Sequence, residues 1–219
     1  MTKKIKLCIF DLDGVIVDTA KYHYLAWKEL AKEFGYDLTK QQNEKLKGVS
    51  RVQSLKLILQ WAGVSKSEEE QKILAAKKNE QYVKLIQSLT PNDVFPGVRE
   101  FISELKDNGI LTSIGSASKN TRLILEKLEI TGLFDYIVDG TMTTHSKPHP
   151  EVFLKSCEAL NIKPENTVVF EDAPKGIEAA KAGGMYAIGV GNPDELSNAD
   201  MVISGFEGFG VKDIMLKKN

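Results

Sequence analysis

Two hydrophobic periods divide this chain. An apolar run from Leu7 to Phe10 stops abruptly at Asp11-Leu12-Asp13-Gly14. A short run bounded by acids and glycine predicts a buried strand. From Val15 to about Thr90 the apolar positions instead recur at helical spacing, with no strand signal. His23, Trp27, Leu30 and Phe34 share one stripe, with Gly35 as a stop. A second, short helix ends near Lys47-Gly48. Ser50-x-x-Gln53 and Ser67-x-x-Glu70 read as capping boxes that open two more helices. Their expected apolar faces are Leu55, Ile58, Leu59 and Ala62, then Ile73, Ala76, Val83 and Ile86.

After Thr90-Pro91-Asn92-Asp93 the pattern alternates. Strands are expected at 110–115, 136–138, 167–170, 185–190 and 201–203. Helices are expected at 98–108, 120–129, 151–160 and 175–182. Such alternation predicts an α/β fold, a parallel sheet with helices on both faces. The first strand is too short to fold without that sheet. Residues 1–14 and 91–219 therefore form one expected domain, and 15–90 an inserted all-helical domain with its own small core.

Composition narrows the function. A hydrophobic content of 42% and a formal net charge of −1 describe an ordinary globular protein, and the dispersed basic residues argue against nucleic acid. No apolar stretch approaches a membrane span, and Asp11 interrupts the first run too early for a signal peptide. Cys8 and Cys157 lie far apart and read as buried small hydrophobes. A cytoplasmic, monomeric protein is expected.

Chemistry collects where the expected strands end, the edge at which open α/β sheets bind ligands. Asp11 and Asp13 follow the first strand. Two carboxylates that close repel unless a cation separates them, and hard oxygen ligands beside a phosphate suit Mg²⁺. A carboxylate is also a nucleophile able to become an aspartyl phosphate. Ser116-Ala-Ser118-Lys119-Asn120 follows the second strand, a small hydroxyl with free N–H groups before a helix. Lys147 sits between Ser146 and Pro148 after the third, and Glu171-Asp172 closes the fourth. Taken singly, each has an ordinary structural role as a cap, a surface lysine or a turn. Their succession at consecutive strand ends is what points to a site.

In that order, Asp11-Leu-Asp13-Gly-Val15, Ser116, Lys147 and Glu171-Asp172 resemble the four motifs of the haloacid dehalogenase-like phosphotransferase superfamily. The resemblance spans the whole chain and makes the inserted helices that superfamily's cap. It implies Asp11 as nucleophile and Asp13 as acid–base. Ser116 and Lys147 would hold the transferring phosphoryl group. Mg²⁺ would be bound by Asp11, the Asp13 backbone carbonyl, Glu171 and Asp172.

Within that superfamily, Asp18-Thr19-Ala-x-Tyr22-His23-x-x-Ala26-Trp27 and Leu46-Lys47-Gly48-Val49-Ser50-Arg51 are similar to the β-phosphoglucomutase family. That family interconverts β-glucose 1-phosphate and glucose 6-phosphate through a bisphosphate. By position, Arg51 with Ser118, Lys119 and Asn120 would grip the second phosphate. Thr19, His23, Lys47, Gly48, Val49 and Lys78 would line the sugar. The chain departs from the family at Gly115, at Val52-Gln53, at His149 and at Ala173-Pro174-Lys175. The last looks more like a sugar phosphatase of the same superfamily. A phosphatase, a non-catalytic sugar-phosphate sensor and a response-regulator-like receiver are the competing readings. The helical insertion has no place in the last.

Overall fold

The structure is a computed structural model and describes residues 4–46 and 49–215. It divides into two compact units, one of residues 1–18 and 90–219, the other Thr19–Leu89. The chain order is β1 (Leu7–Phe10), α1 (Ala20–Lys32), α2 (Lys40–Glu44), α3 (Arg51–Trp61), α4 (Glu68–Ile86), α5 (Val98–Asp107), β2 (Leu111–Gly115), α6 (Thr121–Lys127) and β3 (Tyr136–Val138). There follow α7 (Glu151–Ala159), β4 (Thr167–Glu171), α8 (Pro174–Ala182), β5 (Tyr186–Val190), β6 (Met201–Ile203) and α9 (Val211–Met215).

The six strands are all parallel, in the order β3-β2-β1-β4-β5-β6. β1 is therefore flanked by β2 and β4, with Phe10 level with Ile114 on one side and Phe170 on the other. The residues that follow these positions emerge together at the carboxyl edge, where the chain order reverses and ligands bind.

Alternate residues of a strand face opposite sides, and the two faces have different cores. Leu7, Ile9 and Val169 pack with Phe153 and Cys157 of α7 and with Ile177 and Ala180 of α8. The other face is aromatic. Phe10 stacks on Phe170 at 4.8 Å, and Phe101 of α5 meets both of them edge-on. Phe206 and Phe209 complete that cluster around Phe101. Phe101→Ala should remove about 3–5 kcal/mol of stability, read from urea unfolding, since it empties the middle of this cluster.

The helical unit has its own core of Trp27, Leu30, Ala31, Leu38, Leu46, Leu55, Ile58 and Leu59. Ser67 and Glu70 form the reciprocal box at the start of α4. At α3, Ser50 accepts from the Gln53 N–H, and a second complete box stands at Thr39 and Gln42 before α2.

Three expectations change. The first boundary falls after Asp18 rather than after Gly14, because Val17 bridges to both Asp13 and Val94 and ties 15–18 to the sheet unit. α4 buries Lys78, Tyr82 and Ile86; of the expected face Ile86 is buried, Val83 is partly buried, Ala76 is exposed and Ile73 is 62% exposed. A lysine offers a long apolar stem for burial once its ammonium has partners. A further short helix, α9, follows the last strand.

Candidate active site

β1 delivers Asp11 one residue past its end, and the Asp11 N–H continues the ladder to the Phe170 carbonyl at 2.9 Å. The Asp11 side chain is buried and ion-paired. Lys147 Nζ lies 2.5 Å from its Oδ1, and the Asp13 N–H donates to its Oδ2 at 3.0 Å. The same ammonium reaches Glu171 Oε1 at 3.2 Å, and the Asp172 N–H donates to Glu171 Oε2 at 3.1 Å. Lys147 is only 5% exposed and Glu171 1% exposed.

Burial alone would lower the Lys147 pKa; the charges and hydrogen bonds of Asp11 and Glu171 outweigh it and hold it above the usual lysine range. Glu171 is pushed well up, first by burial and then by the Asp11 and Asp172 charges, with Lys147 opposing. The cluster thus holds more carboxylates than its one lysine balances. Asp11, Glu171 and Asp172 each place an oxygen within 4.8 Å of the others. An all-oxygen, acid-rich set of this kind fits a hard divalent cation.

Two glycines make room for its carboxylates. Gly14 has φ +83°, a backbone region that disfavours side chains, and a Cβ there would sit 2.2 Å from Asp172 Oδ2. At Gly176, in the first turn of α8, a Cβ would lie 1.7 Å from Glu171 Oε1. Helix propensity favours alanine over glycine by about 1 kcal/mol. Here the sign reverses: Gly176→Ala should lower both activity and thermal midpoint, because the carboxylate must move.

β2 delivers Ser116, buried, whose N–H bonds the Val138 carbonyl at 3.0 Å. The loop beyond it is wound on its own hydroxyls. Ser116 Oγ accepts from the Ser118 N–H at 3.1 Å, and Ser118 Oγ from the Asn120 N–H at 3.2 Å. Lys119 is exposed. This loop is braced by the chain after β3, where the Gly140 N–H bonds the Ser118 carbonyl at 3.0 Å. Asp139, 4% exposed, holds that turn through the Thr141 N–H and Arg122. Asp139 is not among the expected site residues. Its signal was there, a further acid directly behind an expected strand.

In the helical unit, His23 and Lys78 come together. Lys78 Nζ is 2.8 Å from His23 Nδ1 and lies over the rings of Trp27 at 4.5 Å and Tyr82 at 4.8 Å. His23 is pushed well below its ordinary pKa by burial, then by the Lys78 and Arg51 charges. A histidine so lowered stays neutral in the fold and must gain a proton on unfolding in acid. Its contribution is whole above about pH 6.5 and is lost as pH falls below that value. Stability should drop by up to about 1.4 kcal/mol per pH unit there, and His23→Gln should flatten the slope in denaturant titrations from pH 7 to pH 5. Arg51 opens α3, half-buried, and burial lowers its guanidinium pKa. Thr19 is fully buried as the cap of α1, and the Val49 N–H bonds the Leu46 carbonyl. Lys47 and Gly48 lie outside the described residues.

The profile of a family described as haloacid dehalogenase-like hydrolase matches residues 8–190. The chain belongs to that family. Among haloacid dehalogenase-like proteins, the β-phosphoglucomutase of Bacillus subtilis (strain 168) is 41% identical over 201 residues, covering 91% of this chain and 89% of that one. A crystal structure of β-phosphoglucomutase from Clostridium difficile superposes with a TM-score of 0.93 at 43% identity, over 96% and 95% of the two chains. A phosphorylated carbohydrates phosphatase of Thermotoga maritima is 30% identical over 82% of each.

Proposed function

We propose that this chain is a β-phosphoglucomutase, interconverting β-D-glucose 1-phosphate and D-glucose 6-phosphate through a phosphoaspartate and β-D-glucose 1,6-bisphosphate. The observation that carries the chemistry is the Asp11 carboxylate, buried at the carboxyl edge of the sheet and pinned by Lys147 and the Asp13 N–H. The likeness to the mutases at 41% and 43% identity supports the choice of reaction.

Asp11 attacks phosphorus and becomes the phosphoaspartate. Asp13, two residues on, protonates the departing sugar oxygen and later takes the proton of the incoming hydroxyl, help of about 10²–10⁴-fold. Lys147 and Ser116 hold the transferring oxygens. Positioning and neutralisation are most of what phosphoryl transfer requires. Mg²⁺, held by Asp11, Glu171, Asp172 and the Asp13 carbonyl, supplies charge neutralisation between two anions when bound. The sugar binds in two orientations, so a second anion site is needed, and likeness to the mutases makes Arg51 of the helical unit and Ser118, Lys119 and Asn120 of the sheet unit its candidate residues. Likeness to the mutases makes Thr19, His23, Val49 and Lys78 candidates for the sugar side of the site, with Lys47 and Gly48, which lie outside the described residues. Among the described residues no helix is long and apolar enough to cross a membrane. We place the enzyme in the cytoplasm, as a monomer acting on small sugar phosphates.

A sugar-phosphate phosphatase is the second reading, favoured by Ala173-Pro174-Lys175 and by the Thermotoga relative. One coupled assay separates the two: β-glucose 1-phosphate with a trace of bisphosphate, glucose 6-phosphate formation followed beside phosphate release. The mutase forms glucose 6-phosphate in large excess over phosphate. Phosphate release without glucose 6-phosphate would establish the phosphatase.

A further inference from the structure

The loop that carries Lys147 holds two imidazoles and a carboxylate on its outer side. His145 and His149 flank Ser146-Lys147-Pro148, and Glu151 begins α7 just beyond. Their rings stack at 4.4 Å, and one ligand atom from each of the three residues lies within 4.8 Å of the others. We propose that His145, His149 and Glu151 bind a transition-metal ion of the Zn²⁺ class, at a site separate from the acidic cluster around Asp11.

The spacing suits one ion. His145 Nδ1 and Glu151 Oε2 are 3.1 Å apart. Two ligand atoms each about 2.0–2.1 Å from a tetrahedral centre are about 3.3 Å apart. His149 Nδ1 also faces Glu151, accepting from its backbone N–H at 3.3 Å, a long bond that is readily exchanged. Both histidines are exposed, so an ion reaches them, and it would take the place of the contacts that His145 Nδ1 makes to Thr144 Oγ1 at 3.0 Å and to Glu151.

The carboxylate is aimed rather than loose. The His145 N–H donates to Glu151 Oε2 at 2.7 Å and the Thr144 N–H at 3.1 Å, while its other oxygen lies 3.6 Å from Lys155 Nζ. Outer hydrogen bonds that orient a ligand in this way raise metal affinity. Three protein ligands leave a fourth position for water.

Donor chemistry sorts the two sites. The acidic cluster offers only oxygen and suits Mg²⁺; imidazole nitrogen selects Zn²⁺, Cu²⁺, Ni²⁺ or Co²⁺. An ion here ties the two ends of the segment that presents Lys147. Nothing in the mutase reading uses these histidines, so the site stands whether or not that reading holds.

The test is titration of untagged protein with Zn²⁺ by calorimetry, in excess Mg²⁺ to keep the acidic cluster filled. Co²⁺ replaces Zn²⁺ in a parallel visible-absorbance titration. One equivalent should bind, with Co²⁺ giving the d–d bands of a nitrogen-ligated ion. At a hundredfold excess over Kd the thermal midpoint should rise by about 5 °C. His145→Ala and His149→Ala should each weaken binding at least tenfold while leaving the Mg²⁺-dependent activity unchanged. Absence of stoichiometric binding, or affinity unmoved in both variants, would overturn the site.

Discussion

Asp11→Asn leaves a folded protein and removes about 10⁴-fold or more of the turnover. Losses of that order follow deletion of a covalent nucleophile whose partners act with it as a unit. The amide keeps the shape of the carboxylate, and its oxygen still accepts from the Asp13 N–H, which in the native protein donates to Asp11 Oδ2 at 3.0 Å. What vanishes is the negative charge that attacks phosphorus and that Lys147 faces at 2.5 Å. Circular dichroism should match the native spectrum. Retention of more than about a hundredth of the native rate would take Asp11 out of the nucleophile's role, because the remaining groups supply only positioning and charge.

Lys147→Met has the next largest effect and acts on both rate and stability. Loss of one charged donor to the transferring oxygens lowers kcat by about 10²–10³-fold. In chelator, the variant also leaves the buried Asp11 and Glu171 carboxylates without their shared counter-charge. Removing one partner of a buried ion pair destabilises by about 3–5 kcal/mol. Added Mg²⁺ should recover part of that stability and none of the lost rate. Full recovery of rate with Mg²⁺ would show that the ammonium merely balances charge in the resting enzyme.

The site was legible where chemistry coincides with a break in pattern. Phe10 to Asp11 and Phe170 to Glu171 are apolar runs meeting an acid, Ile114-Gly115 to Ser116 is a glycine break meeting a hydroxyl, and a parallel sheet aligns such positions. The six strands could be read for a related reason, since each is short and bounded by turns and most are apolar, β2 with Thr112 and Ser113 being the least so. Lys78 shows where this way of reading fails. A hydropathy pattern scores lysine as exposed, and so it leaves Lys78 off the apolar face that Ile73, Ala76, Val83 and Ile86 define. The structure instead buries Lys78 because Trp27, Tyr82 and His23 surround its ammonium. Gly176 was invisible for a related reason. Its role depends on Glu171, five residues earlier on another element, and no local pattern reports that approach. The division of Phe10, Phe101, Phe170 and Phe206 into a single aromatic cluster likewise depends on tertiary packing of distant segments.

The most direct measurement is of the covalent intermediate itself. The enzyme is mixed with β-glucose 1,6-bisphosphate and Mg²⁺, quenched in acid within the first turnovers, digested and mapped by mass spectrometry. The account predicts a phosphoryl increment on the peptide holding Asp11, localised to that carboxylate and absent from Asp11→Asn. A phosphoryl group on any other residue, or product formed at full rate with Asp11 never modified, would contradict it.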